Sequence, residues 1–110
     1  MIAISSEGTS SSSMVASRFA RAPYFLIFDD GGRLVETLEN RTSGAAHGAG
    51  GKAVQILSAK KVTSVVGPMF GPNACVALKA AGIKAFEVRD VTVDEALRKV
   101  IGGEANEMDL

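Results

Sequence analysis

The run Tyr24-Phe25-Leu26-Ile27-Phe28, closed by Asp29-Asp30-Gly31-Gly32, constrains the fold of this chain more than any other stretch. Aromatic and β-branched residues in one run favour a pleated strand. Pro23 keeps a helix from running into it, and the Asp-Gly turn behind it returns the chain as a hairpin. Arg33 to Glu39, with Leu34 and Leu38 among polar residues, is the expected partner strand. An antiparallel pair is thus set early in a chain of 110 residues, a length that suits one domain and no more.

The rest alternates around that pair. Ile2 and Ile4 mark a short buried strand over Met1 to Ser5. The polar stretch from Ser6 through the serine run Ser10–Ser13 reads as a loop within the domain, and Val15 to Ala22 as irregular chain or one helical turn. Asn40 to Gly51 is a long glycine-rich loop, after which a helix is expected with Ala49, Ala53, Ile56, Leu57 and Lys60 on one face. Val62 to Val66 carries no charge and suits a strand covered on both sides. Gly67 to Gly71 forms a second glycine loop. Pro72 then stands at the first helical position, where its missing N–H costs nothing. Ala74, Ala77, Leu78 and Ala81 recur at helical spacing, and Gly82 is a left-handed stop. Ile83 to Val88 is a further strand. Thr92 and Glu95 form a capping box for a last helix with Val93, Ala96, Leu97 and Val100 inward. Residues 1–103 therefore make the domain, and the acidic stretch Glu104 to Leu110, without an apolar stripe, reads as a disordered tail. Strand–helix–strand alternation implies right-handed parallel crossovers. With the hairpin, this predicts an α/β domain: a mixed five-stranded sheet with helices on both faces.

Composition removes several function classes. Hydrophobic residues are 46% of the chain, enough for one core. Twelve Lys+Arg balance twelve Asp+Glu, whereas a sequence-independent nucleic-acid binder needs an excess of base. Apolar runs are too short to span a membrane. A strand beginning at Ile2 leaves no room for a secretory leader, and the single cysteine, Cys75, cannot pair within the chain. The expectation is a cytoplasmic protein that binds neither nucleic acid nor membrane.

Three motifs carry a family resemblance. Ser17-Arg18-Phe19-Ala20-Arg21-Ala22-Pro23-Tyr24-Phe25 resembles a hallmark segment of the dinitrogenase iron–molybdenum cofactor biosynthesis family. Gly71-Pro72-Asn73-Ala74, followed by Ala77-Leu78 and Ala80-Ala81-Gly82-Ile83, is similar to its second hallmark, and Gly48-Ala49-Gly50 before a helix to its third. The likeness runs from Ile2 to about Gly102. It implies a ribonuclease H-like fold and the binding or carriage of an iron–molybdenum or related iron–sulfur cluster, with an acceptor protein as a possible partner. Ala20 stands where the family often has glycine, and Cys75 at a position that is often not cysteine.

In an open α/β sheet, ligands bind beyond the carboxyl ends of the strands. Residues 6–22, 40–51 and 67–72 are expected to share that edge. Two of these loops feed helix N-termini, whose free N–H groups and dipole favour an anion. Metal–sulfide clusters and oxyanions are anions, and so is phosphate, so a small-anion or protein-interaction module without metal stands beside the cluster carrier. The candidate binding residues are Arg18, Arg21, His47, Gly48, Gly50, Gly71 and Asn73. The arginines match oxyanions but could equally pair with Glu7, Asp29 or Asp30. Asn73 could fix its loop or touch a ligand. His47, the lone histidine, and Cys75, in the first turn of its helix, are the candidate metal ligands. Against these stand a plain loop histidine and a small buried thiol. Met14 and Met69 are soft loop thioethers that also serve as hydrophobic plugs.

Other chemistries fail on their residues. Gly48 to Ala53 matches G-x-G-x-x-A but does not directly follow a strand, and Ala53 stands where a Walker motif needs Ser or Thr. A two-metal nuclease needs converging carboxylates, and Ile2–Ser5 has none. No nucleophile elbow accompanies the serines. The expectation is a non-catalytic protein.

Overall fold

A computed structural model describes residues 1–41 and 48–110. The elements in chain order are β1 (Ile2–Ser6), β2 (Tyr24–Phe28), β3 (Leu34–Glu39), α1 (Ala49–Ala59), β4 (Ser64–Gly67), α2 (Pro72–Ala81), β5 (Lys84–Glu87), α3 (Val93–Ile101) and β6 (Asn106–Glu107). One mixed sheet has the order β3-β2-β1-β4-β5-β6. The hairpin forms as expected, with Phe25 opposite Leu38 and a bulge at Ile27/Phe28. Its turn is held by the Asp29 carboxylate, which accepts from the N–H groups of Gly31 and Arg33 at 3.0 and 2.9 Å.

Among the described residues the sheet has six strands, not five. The sixth comes from the segment expected to fray. Asn106 and Glu107 pair antiparallel with Glu87 and Phe86, and the Met108 N–H donates to the Ala85 carbonyl at 2.7 Å. Met108 and Leu110 pack against the core. These two apolar side chains anchor a tail too short to show any periodicity.

Helices cover both faces. On one side α1 and α2 pack over Ala3, Phe25, Ile27, Val65 and Ala85. On the other, Val93, Ala96 and Leu97 of α3 cover Ile2, Ile4, Leu26, Phe28 and Val66. Neighbouring Val65 and Val66 thus enter opposite cores, as an uncharged central strand requires. Two predicted inward positions turn out. Ile56 on α1 and Ala81 on α2 are exposed, and Val54 is buried in α1 instead. The cause is the neighbour: α1 packs sideways against α2 while Ala53, Val54 and Leu57 share the core over the sheet, which moves its buried stripe towards α2.

β1, β4 and β5 are mutually parallel, and two antiparallel steps bring β3 into the same direction. Their carboxyl ends form one edge, which collects the loops that build the candidate site.

Candidate functional site

The first of these loops divides. Its serine-rich part turns towards α3. There the Ser13 and Ser11 carbonyls accept from the N–H groups of Val93 and Asp94, each at 2.9 Å. Thr92 caps the same helix by accepting from the Glu95 N–H at 3.2 Å, and Asp94 and Glu95 add negative charge to its first turn. The N-terminus of α3 is therefore already filled. Of the loop 6–22, only the part around Arg18 to Arg21 lines the cleft with Gly48–Gly50 and Gly71–Ala74, while its serine-rich part lies at the N-terminus of α3.

That later part is tied down from both sides. Phe19 is fully buried, with its ring 5.1 Å from that of Phe25 and 4.9 Å from that of Phe70. Its N–H donates to the Met69 carbonyl at 3.0 Å. Asn40, buried at the end of β3, donates its side-chain amide to the carbonyls of Ala20 and Ala22 at 3.0 and 2.8 Å. Nothing in the local sequence marks Asn40, because its partners lie about twenty residues away. It is the organising residue that sequence reasoning missed.

Above this floor lies a cleft of about 300 Å³ lined by Arg18 to Arg21, Gly48 to Gly50, Met69 and Gly71 to Ala74. Arg18, Arg21, Gly48, Gly50, Gly71 and Asn73, drawn from three separate loops, therefore meet at one site. No carboxylate is among its described lining residues. Gly48 precedes α1 at φ 71°, a left-handed conformation that glycine adopts without strain. Gly50 lets the helices touch: a Cβ there would lie 2.9 Å from both the backbone nitrogen and the Cβ of Ala74. The N-termini of α1 and α2 are thereby held side by side.

Neither of these two helices has a side-chain cap or an acidic residue in its first turn. Their earliest intrahelical bonds are from the Lys52 N–H to the Gly48 carbonyl and from the Cys75 N–H to the Gly71 carbonyl, both 3.0 Å. The N–H groups of Ala49, Gly50 and Gly51 in α1 and of Asn73 and Ala74 in α2 precede those bonds and have no intrahelical acceptor. Two helix dipoles and two guanidinium groups thus serve one cleft, an arrangement that attracts an anion.

The two candidate metal ligands do not meet here. His47 lies outside the described residues. Cys75 is half-buried, packs against the core and donates from Sγ to the Phe70 carbonyl at 3.7 Å. It does not line the cleft. Among the described residues no group of three or more His, Cys, Asp or Glu could hold a metal ion, and no helix is long and apolar enough to cross a membrane. Met69, half exposed, contributes to the cleft wall, whereas Met14 lies in the loop that bridges to Thr92.

Several solved structures share this architecture. The apo form of the orange protein from Desulfovibrio gigas superposes with a TM-score of 0.91 at 31% identity, over 97% of this chain and 91% of that one. A Thermotoga protein provisionally named NifB gives a TM-score of 0.84 at 43% identity, covering 96% of this chain and 90% of its own. A Methanocaldococcus jannaschii protein provisionally named a dinitrogenase gives 0.71 at 16% identity, covering 98% and 93%, and shows the common fold alone. No curated protein matches at a significant level. The family model described as dinitrogenase iron–molybdenum cofactor matches residues 1–103, and the chain belongs to that family.

Proposed function

We propose that this chain binds and carries a preassembled anionic cluster of the iron–molybdenum or related iron–sulfur type, seated in the cleft between Arg18–Arg21 and the N-termini of α1 and α2. The supporting observation is the pairing of two uncapped helix N-termini at the Gly50–Ala74 contact, beside two arginines and with no carboxylate among the described lining residues. The family match and the likeness to a protein known in an apo form, a term for a protein without the group it binds, point the same way.

The donor set decides what kind of cargo fits. The described lining offers N–H groups, guanidinium groups, the Asn73 amide and the Met69 thioether. Such groups donate to sulfide or oxo ligands on the outside of a cluster. They do not complete the shell of a bare metal ion, which calls for imidazole, thiolate or carboxylate. Cargo that arrives with its own ligands is therefore held by charge and hydrogen bonds. His47, on the loop entering α1, remains a candidate direct ligand within the proposal. Cys75 would have to leave the Phe70 carbonyl to become one.

Carriage rather than catalysis belongs to the same proposal, since the cleft brings together no acid, base or nucleophile set among its described residues. So do a cytoplasmic setting, from the lone cysteine, and a ribonuclease H-like class, from the family resemblance. A second reading has its own support: helix N-termini and arginine suit phosphate oxygens equally well, which would make the chain a small-anion module without metal.

The test is to purify the protein without oxygen, offer it iron, molybdate and sulfide, and follow metal content and absorption. The expected result is a stoichiometric chromophore that is lost in Arg18→Glu/Arg21→Glu and retained in Cys75→Ala. Retention in His47→Ala/Cys75→Ala as well would assign the hold to charge and N–H groups alone. No uptake, with phosphate binding at the same arginines, would replace the carrier by the anion module.

A further inference from the structure

The two helices that meet at the cleft begin with opposite kinds of residue. The first turn of α2 is Pro72-Asn73-Ala74, and that of α1 is Ala49-Gly50-Gly51. Proline brings a helical φ with it, and Ala74 is buried in the core. Glycine gives up more backbone freedom on entering a helix than any other residue. With two glycines in the turn, the buried methyl of Ala49 is its only side chain. Further along, Ala53, Val54 and Leu57 anchor α1 to the core. The weakly held part of α1 is thus confined to the end that faces the cleft.

The glycines at this end differ in what requires them. Gly48 takes a left-handed φ, and Gly50 lies against Ala74. Gly51 has neither reason. Its φ is not left-handed, and a Cβ on it would meet nothing within 4 Å. Nor is it among the described residues that line the cleft, so its missing side chain does not make room for cargo there. Its remaining effect is on the helix itself, where it lowers the cost of unwinding the first turn.

We infer that the first turn of α1 opens and closes in the free protein and is held closed by the anion in the cleft, so that capture winds the turn and unwinding releases the cargo. The inference rests on the reading of the cleft as an anion site and adds how that site is switched. In the wound turn the N–H groups of Ala49 and Gly50, both lining the cleft, have no intrahelical acceptor. An anion that accepts from them binds the wound form better, and a ligand shifts a conformational equilibrium by that difference in affinity. Unwinding withdraws these donors, while Arg18, Arg21 and the preset turn of α2 stay in place. The arginines and α2 are then the fixed half of the site and α1 its moving half. Elements that move on binding come from the low-stability end of a structure, and Gly50-Gly51 puts this turn there.

The test compares one amide in each helix. The Lys52 N–H closes the first turn of α1 on the Gly48 carbonyl, and the Cys75 N–H closes that of α2 on the Gly71 carbonyl, both at 3.0 Å. Opening of a turn exposes the matching amide to hydrogen exchange. In isotope-labelled, metal-free full-length protein, Lys52 should exchange about fivefold faster than Cys75 or more, after correction for intrinsic rates, as two glycines imply. Inorganic phosphate or molybdate should slow Lys52 more than Cys75. Gly51→Ala should slow Lys52 in the free protein and tighten binding of both anions by about two- to fivefold, the range set by glycine's cost in a helix. Its urea midpoint should not fall, since the added methyl meets open space. Equal exchange of the two amides in the free protein, or unchanged affinity in Gly51→Ala, would overturn the inference, because the turn would already be wound. Weaker binding in Gly51→Ala would overturn it in favour of Gly51 as a point of close approach. Amide shifts at Arg18 to Arg21 on adding either anion, without slower exchange at Lys52, would overturn the switch and leave anion binding intact. No shift there with either anion would overturn the reading of the cleft as an anion site, and the switch with it.

Discussion

Gly50 and Gly71 both line the cleft, yet they answer to different physics. A Cβ at Gly50 would strike the backbone of Ala74, whereas one at Gly71 would meet nothing within 4 Å. Overpacking of this kind costs about 1–3 kcal/mol, more than the ~1 kcal/mol that alanine gains over glycine inside a helix. Gly50→Ala should therefore lower the urea-denaturation free energy and Gly71→Ala should leave it within about 0.5 kcal/mol. Equal stabilities would mean that the two helix N-termini are not held at this contact. Asn40 makes a second residue-scale case. Asn40→Ala removes the donors for the Ala20 and Ala22 carbonyls, and a buried acceptor left unpaired costs about 1–3 kcal/mol. It should also weaken anion uptake at concentrations where the variant is still fully folded, because the Arg18–Arg21 segment loses its tether. Asn73→Ala, exposed on the opposite wall, should leave stability unchanged while affecting uptake. Gly48, Gly50, Gly71, Asn73 and the arginines could be picked out from the sequence because each sits in a distinctive local pattern. Asn40 could not, since its role exists only after β3 has brought it beside residues twenty positions earlier.

Elements show the same division between local and distant causes. The Thr92 cap, the Pro72 start and the left-handed Gly82 stop are all present, and each is written within a few residues of itself. Thr92→Ala should cost about 1 kcal/mol, readable in the same denaturation experiment. β6 is the contrary case: two exposed residues with no alternation, placed by Met108 and Leu110 packing on a core built elsewhere. Deleting residues 104–110 removes two partly buried apolar side chains, worth on the order of 2–3 kcal/mol together. It also frees the outer edge of β5, so its amides should exchange hydrogen faster than those of β1. Unchanged stability and exchange would show that the tail contributes no strand. The docking of the serine run against α3 belongs with β6. A polar run announces a loop, but which helix the loop caps is decided by where β1 and β5 end in space.

On the scale of the whole molecule, the cleft has no sequence of its own. Its walls come from residues 18–21, 48–50 and 69–74, and they converge only because the carboxyl ends of parallel strands face one way. An unfolded chain keeps the two arginines close along the sequence but loses the helix N-termini that share the cleft with them. Cargo held there must therefore bind the native state and not the unfolded one, and occupancy must raise stability. At free cargo one hundred times its dissociation constant, the gain is about 2.7 kcal/mol. For a domain of this size each kcal/mol moves the melting temperature by about 4–8 °C, so loaded protein should melt about 10–20 °C above the metal-free form. The increment should shrink in Arg18→Glu/Arg21→Glu and in Gly50→Ala, which act on opposite walls of the cleft. It should persist in Thr92→Ala, whose helix N-terminus lies on the other face of the sheet. A chromophore that stays with the protein but does not move the melting temperature would mean that native and unfolded chains hold it equally, as scattered thiol and imidazole contacts would. The convergent cleft would then have no part in carrying it.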